Sequence, residues 1–165
     1  MNEIFTRTSV RNFTEKMPSD DQIELVLKAA MQAPSAGNQR SWEFYVVRDR
    51  TALTLLSSVG TYGGCTKDAP LAIVVCTRKS GLKFQPYARY DCACAAENLW
   101  LAAHHLGLGT TWLGVAPDIY AMERVREILD LPGHLEAFCI MPLGFPSRVT
   151  KAHSRFEPAK IHFVD

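Results

Sequence analysis

Apolar positions along this chain follow two patterns, one with a helical period and one in runs that are apolar at every residue. After Ser19-Asp20-Asp21-Gln22, the residues Ile23, Val26, Leu27, Ala30 and Met31 recur at helical spacing. The tetrapeptide fits a capping box, its two acids facing the positive end of the helix dipole. A helix is therefore predicted over residues 20–33, stopped by Pro34. Residues 43–48 are rich in strand formers, and residues 50–59 read as a second helix. The run Leu71-Ala72-Ile73-Val74-Val75-Cys76 is apolar on both faces, which predicts a central strand. A long Ala-rich stretch over residues 86–106, apolar around much of its circumference, predicts a helix buried on more than one side, with Gly107 as its C-terminal cap.

A short strand over residues 110–115, an amphipathic helix over 118–129 and a last central strand over 137–143 complete the pattern. The alternation in Lys160-Ile161-His162-Phe163-Val164 suits an edge strand, added to the chain's own sheet or to a partner's. Helices and strands alternate irregularly, so a layered α+β or α/β architecture is expected. No repeat or linker divides the chain, and one domain over residues 1–165 is the expectation.

Composition narrows the classes of function. With 165 residues, 47% of them hydrophobic, the chain can bury one core without a disulfide or metal staple. Eighteen basic and 17 acidic side chains leave a formal charge of +1, which points away from nucleic acid or a membrane surface as the main partner. The five cysteines are odd in number and mostly embedded in apolar sequence, as expected of reduced thiols. No run approaches the roughly 18 apolar residues of a membrane span and the first residues do not resemble a signal peptide, so a cytoplasmic location is expected.

Four segments carry candidate chemistry. If Arg7-Thr8-Ser9-Val10-Arg11 is extended, Arg7, Ser9 and Arg11 project to one side, offering two guanidinium forks and a hydroxyl to a phosphate; two solvated arginines near a terminus explain the same residues. Pro34-Ser35-Ala36-Gly37-Asn38-Gln39 combines small side chains with hydrogen-bonding groups, as a flat heteroaromatic ring requires, although a plain helix-ending loop also accounts for it. In Gly107-Leu108-Gly109-Thr110-Thr111-Trp112-Leu113-Gly114 the glycines match neither a phosphate loop nor a dinucleotide fingerprint, but Gly114 after a strand leaves room for a ring on the backbone. The tail cations Arg148, Lys151, His153 and Arg155 are either solvated or the far side of a phosphate cage. His104 and His105 suit a capping role at a helix C-terminus, and Cys92 and Cys94, on different faces of a helix, are read as core residues rather than metal ligands.

Taken in this order, Arg-x-Ser-x-Arg at residues 7–11, Ala33-Pro34-Ser35-Ala36-Gly37-Asn38-Gln39 followed by Trp42-Glu43-Phe44, Gly107-Leu108-Gly109-Thr110 with Trp112-Leu113-Gly114, and Pro142-Leu143-Gly144-Phe145-Pro146 resemble the nitroreductase family over nearly the whole chain. That resemblance implies an α+β sandwich with a central mixed, largely antiparallel sheet flanked by helices, in a homodimer with two FMN sites at the subunit interface. By motif, Arg7, Ser9 and Arg11 would hold the phosphate and ribityl chain of FMN, with Arg155 closing the phosphate and His153 standing where relatives often carry a lysine. Pro34, Ser35, Ala36 and Asn38 would line the ring, from the other subunit, and Leu113 and Gly114 would offer backbone groups near its reactive edge.

The implied reaction passes hydride from NAD(P)H through the flavin N5 to a nitroaromatic, quinone or similar small electron-poor acceptor. No side chain is assigned a catalytic role and no metal is implied. Because the chain is short for the family and lacks the inserted helices that cover the flavin in longer members, two alternatives accompany this reading. One is a protein that stores or senses FMN without turnover; the other is a dehalogenating or flavin-fragmenting relative on the same fold.

Overall fold

A computed structural model of the chain describes residues 2–148 and 150–164. Its elements run α1 (Asn2–Thr6), α2 (Asp20–Met31), β1 (Trp42–Val47), α3 (Arg50–Leu56), β2 (Leu71–Arg78), α4 (Ala88–His105), β3 (Gly109–Thr110), β4 (Leu113–Gly114), α5 (Ile119–Leu129) and β5 (Leu135–Gly144), with short 3-10 turns at Ala36–Asn38, Gly63–Asp68, Gln85–Tyr87 and Pro158–Lys160. Helix α2 begins as its capping box requires: Ser19 Oγ accepts from Gln22 N at 3.2 Å while Gln22 Oε1 accepts from Ser19 N at 3.1 Å.

The strands lie in the order β1-β2-β5-β3, with β4 also pairing to β5, and every pairing among the described residues is antiparallel. Strand β2 is central, its residues buried from Leu71 to Thr77, as a run apolar on both faces demands. Alternation sends Leu71, Ile73 and Val75 to one side, where they meet Val26 of α2 and Cys92, Ala95 and Leu99 of α4. Ala72, Val74 and Cys76 point to the other, against Leu53 and Leu56 of α3 and Val125 of α5. The result is an α+β sandwich, a sheet covered by helices on both faces.

One irregularity shapes the region near Gly114. Val75 stands opposite Cys139 and Cys76 opposite Ala137, which leaves Phe138 unpaired as a bulge. Its carbonyl instead accepts from Val115 N and Ala116 N at 3.1 and 3.0 Å, drawing the chain after β4 alongside β5. The strand expected over residues 110–115 is thereby two short pieces. Thr110 pairs with Leu143 and Leu113 with Ile140, in a continuous register broken where Pro142, with no N–H to offer a ladder, stands.

Three further expectations change. Helix α1 had no sequence signal; it is held to the end of α4 by His104 Nε2 and Thr6 Oγ1 at 2.8 Å and by His105 Nδ1 and Glu3 Oε1 at 2.8 Å, so the two histidines bind another element rather than capping their own. That contact holds the Glu3 carboxyl down at about 2, with the His105 bond as its main cause. Cys94 is exposed while Cys92 is fully buried, so only the second is a core residue. Residues 161–164 pair with no strand of their own chain and are exposed. No helix among the described residues is long and apolar enough to cross a membrane.

Candidate functional site

The N-terminal segment reaches the end of the sheet because glycine lets it. A Cβ on Gly109 would fall 2.6 to 2.7 Å from Val10 side-chain atoms, so only a residue without a side chain permits this approach. Val10 N then donates to Thr110 O at 2.9 Å, Thr14 N to Phe145 O at 2.9 Å and Ser147 N to Asn12 O at 3.0 Å. Beside these bonds lies a groove of about 430 Å³ lined by Ser9, Val10, Arg11, Asn12, Arg148, Thr150 and Lys151. Three of the lining side chains are cationic and none of the described ones is acidic, a composition suited to a phosphate. Arg148 is fixed there by donating to Asn12 Oδ1 at 2.9 Å.

Arg7 is placed differently from Ser9 and Arg11. Its backbone N–H donates to Glu3 O at 2.8 Å, continuing the turn of α1, so the side chain does not share the direction an extended segment would give. The guanidinium lies 4.0 Å over the Trp100 ring and 3.6 Å from Glu97 Oε1. In the tail, Arg155 is exposed, and the cations that line the groove are Arg148 and Lys151.

The second half of the site is the loop after α2. Its path needs left-handed backbone at Gly37, Asn38 and Arg40, with φ of 55°, 56° and 48°. Gly37 passes under the Phe84 ring so closely that a Cβ would lie 2.4 Å from it. Ser35 Oγ accepts from Arg40 N at 3.0 Å, and Arg78 Nη2 donates to Gln39 O at 2.8 Å. Two further ties run to Asp91 in the first turn of α4, a residue only 4% exposed: Ala36 N donates to its Oδ1 at 2.9 Å, and Gln39 Nε2 to its Oδ2 at 2.7 Å. Pro34 and Asn38 are exposed and Ser35 and Ala36 half-buried, so the loop offers a small-residue surface.

Of the third segment, Leu113 is buried in the core between the sheet and α5, whereas Gly114 is exposed; nothing lies closer to the position of its missing Cβ than Trp112 Nε1 at 4.0 Å. Open backbone beside Gly114 suits the close approach of a planar group. No buried thiol is available as a nucleophile: burial pushes Cys92 up to about 11 and Cys76 up to about 12, and raises Cys139 as well.

Sequence reasoning missed Asp91 and the Phe84 cover. The only local signal for Asp91 is one acid on the buried face of an apolar helix, beside Cys92 and four residues before Ala95. Phe84 sits in a connection whose place over Gly37 depends on contacts far apart in sequence.

The nitroreductase family model matches residues 4–59 and 57–145 of the chain. An Archaeoglobus fulgidus protein provisionally named NADH dehydrogenase/NAD(P)H nitroreductase is 43% identical over 164 residues, covering 96% of this chain and 94% of its own. Among solved structures, a provisionally named NADH oxidase from Clostridium acetobutylicum superposes with a TM-score of 0.94 at 38% identity, covering 99% of both chains. A protein described as an FMN-dependent nitroreductase, from Clostridium difficile, superposes with a TM-score of 0.92 at 32% identity, covering 100% of this chain and 99% of that one. The length that set this chain apart from longer family members is therefore shared by near relatives. On this similarity in sequence and fold, the chain belongs to the nitroreductase family.

Proposed function

We propose that the chain is an FMN-dependent oxidoreductase that works as a homodimer and takes electrons from NAD(P)H. The observation that carries this reading is the groove of three cations and a serine hydroxyl with no acid among its described lining residues, in a chain of this family. The residues fit the phosphate of FMN, since Arg11 and Arg148 can each make bidentate charge-assisted bonds, Lys151 adds a point charge and Ser9 a hydroxyl. Arg7, whose guanidinium lies over Trp100 beside Glu97, and the exposed Arg155 would reach the phosphate only by turning their side chains toward the groove. The ring's place is the small-residue loop of Pro34, Ser35, Ala36 and Asn38, with backbone groups of Leu113 and Gly114 at its edge. When bound, FMN supplies hydride transfer between a nicotinamide and a small electron-poor acceptor such as a nitroaromatic or quinone. The protein's part is to bind, orient and exclude water.

The layout along α4 supports the reading that two copies share the site. The loop is tied to Asp91 near the start of α4, while the groove adjoins a cavity lined by His104 and Gly107 at its end, sharing Val10, Arg148 and Thr150 with it. At the α-helical rise these ends are about 20 Å apart. A second copy that sets its loop beside this chain's groove completes the enclosure, and the exposed tail side chains Phe156, Ile161 and Phe163 are surface for it to cover. Steady-state oxidation of NADH and NADPH with a nitro or quinone acceptor tests the reading. Turnover that depends on FMN supports it; tightly bound FMN with negligible turnover for every acceptor favours a flavin-storing protein instead.

A further inference from the structure

We infer that Asp91 is the positioning residue of the ring-binding loop: its buried carboxylate sets the path of residues 35–41, with its left-handed backbone at Gly37, Asn38 and Arg40, and so prepares the surface on which the flavin lies. The inference rests on the FMN reading above and concerns how the loop is prepared before any ligand arrives. Each Asp91 oxygen faces a group that can only donate, Ala36 N–H for Oδ1 and the Gln39 amide NH2 for Oδ2, while the Ser41 hydroxyl shares its single proton between Oδ2 at 3.0 Å and Ala88 O at 2.9 Å. With both oxygens engaged and the side chain 4% exposed, Asp91 acts through the loop rather than on a ligand.

The loop needs this anchor. Asn38 and Arg40 carry side chains in the left-handed region, where an L-residue is disfavoured, and such a run persists only where surrounding bonds over-determine it. Gln39 passes the constraint on: besides donating to Asp91, its Nε2 lies 3.1 Å from Phe84 O and its Oε1 accepts from Phe84 N at 3.0 Å. The amide is thus held in one orientation from both sides, and the Phe84 ring is seated over Gly37. An asparagine at position 91 keeps the size but turns one acceptor into a donor, which must face Ala36 N–H or the Gln39 amide. A preformed loop lowers the ordering cost of binding, so loosening it weakens affinity.

The test combines FMN titration by flavin fluorescence with amide hydrogen exchange on the full chain without FMN, for the unaltered protein, Asp91→Asn, Gln39→Glu and the double variant. Asp91→Asn is expected to raise the Kd for FMN at least fivefold and to speed exchange at least fivefold in peptides covering residues 34–41, leaving peptides of β2 and β5 unchanged. In the double variant the carboxylate introduced at position 39 can accept from the amide introduced at position 91, although it gives up the donor that faced Phe84 O. It is expected to recover part of the affinity, a rescue that a loss of general stability would not show. A Kd change below fivefold, or exchange raised equally throughout the chain, overturns the inference. If Asp91→Asn does not fold, Gln39→Met takes its place with the same thresholds. An unaltered chain that takes up no FMN overturns the flavin reading instead, and the exchange data then decide the anchoring role alone.

Discussion

Arg11 and Gly37 show two ways in which single residues serve the candidate site. Arg11 contributes charge to a groove with no acid among its described lining residues, so Arg11→Ala is expected to weaken FMN binding by at least about 1.5 kcal/mol, the low end for a bond to a charged group. Titration showing unchanged affinity would remove Arg11 from the phosphate site. Gly37 contributes the absence of a side chain. At φ 55°, with the Phe84 ring 2.4 Å from where a Cβ would stand, Gly37→Ala is expected to cost roughly 1 to 2 kcal/mol in the backbone alone, read as a lower melting temperature. An unchanged melting temperature would mean that the loop moves freely away from Phe84.

Among the elements, the packing of helices on both faces of the sheet makes a prediction about pH. Burial raises the Cys92 and Cys76 thiols from about 9.0 to about 11 and about 12, meaning that the folded state keeps protons that the unfolded chain gives up earlier. Their contribution is therefore complete below pH 9 and is lost as pH rises toward 11 and 12. The melting temperature is expected to fall between pH 8.5 and 10.5, and the same fall in a Cys76→Ala, Cys92→Ala variant would refute the assignment. The burial of β2 and α4 was legible in the sequence because a run or stripe of apolar residues reports which faces are covered, and the caps of α2 and α4 were legible because Ser19 and Gly107 act on their own helices. Helix α1 was not, since its partners His104 and His105 lie about a hundred residues away. The seat of the Arg7 side chain over Trp100 and the anchoring by Asp91 were not legible for the same reason: both depend on pairs distant along the chain, and neither changes the local pattern.

On the scale of the molecule, the loop lies toward one end of α4 and the cationic groove toward the other, the separation on which the proposed dimer rests. The motifs from Arg7 to Phe145 identified the family because their order and spacing are global properties that a sequence records directly. In the proposed dimer the way these two regions meet is a property of two chains, which one sequence does not record directly. The visible absorption spectrum of the purified protein, recorded together with its mass in solution, tests this most directly. A yellow species with twice the mass of one chain and one FMN per chain is the predicted result; a colourless single chain that remains colourless after incubation with excess FMN would contradict it.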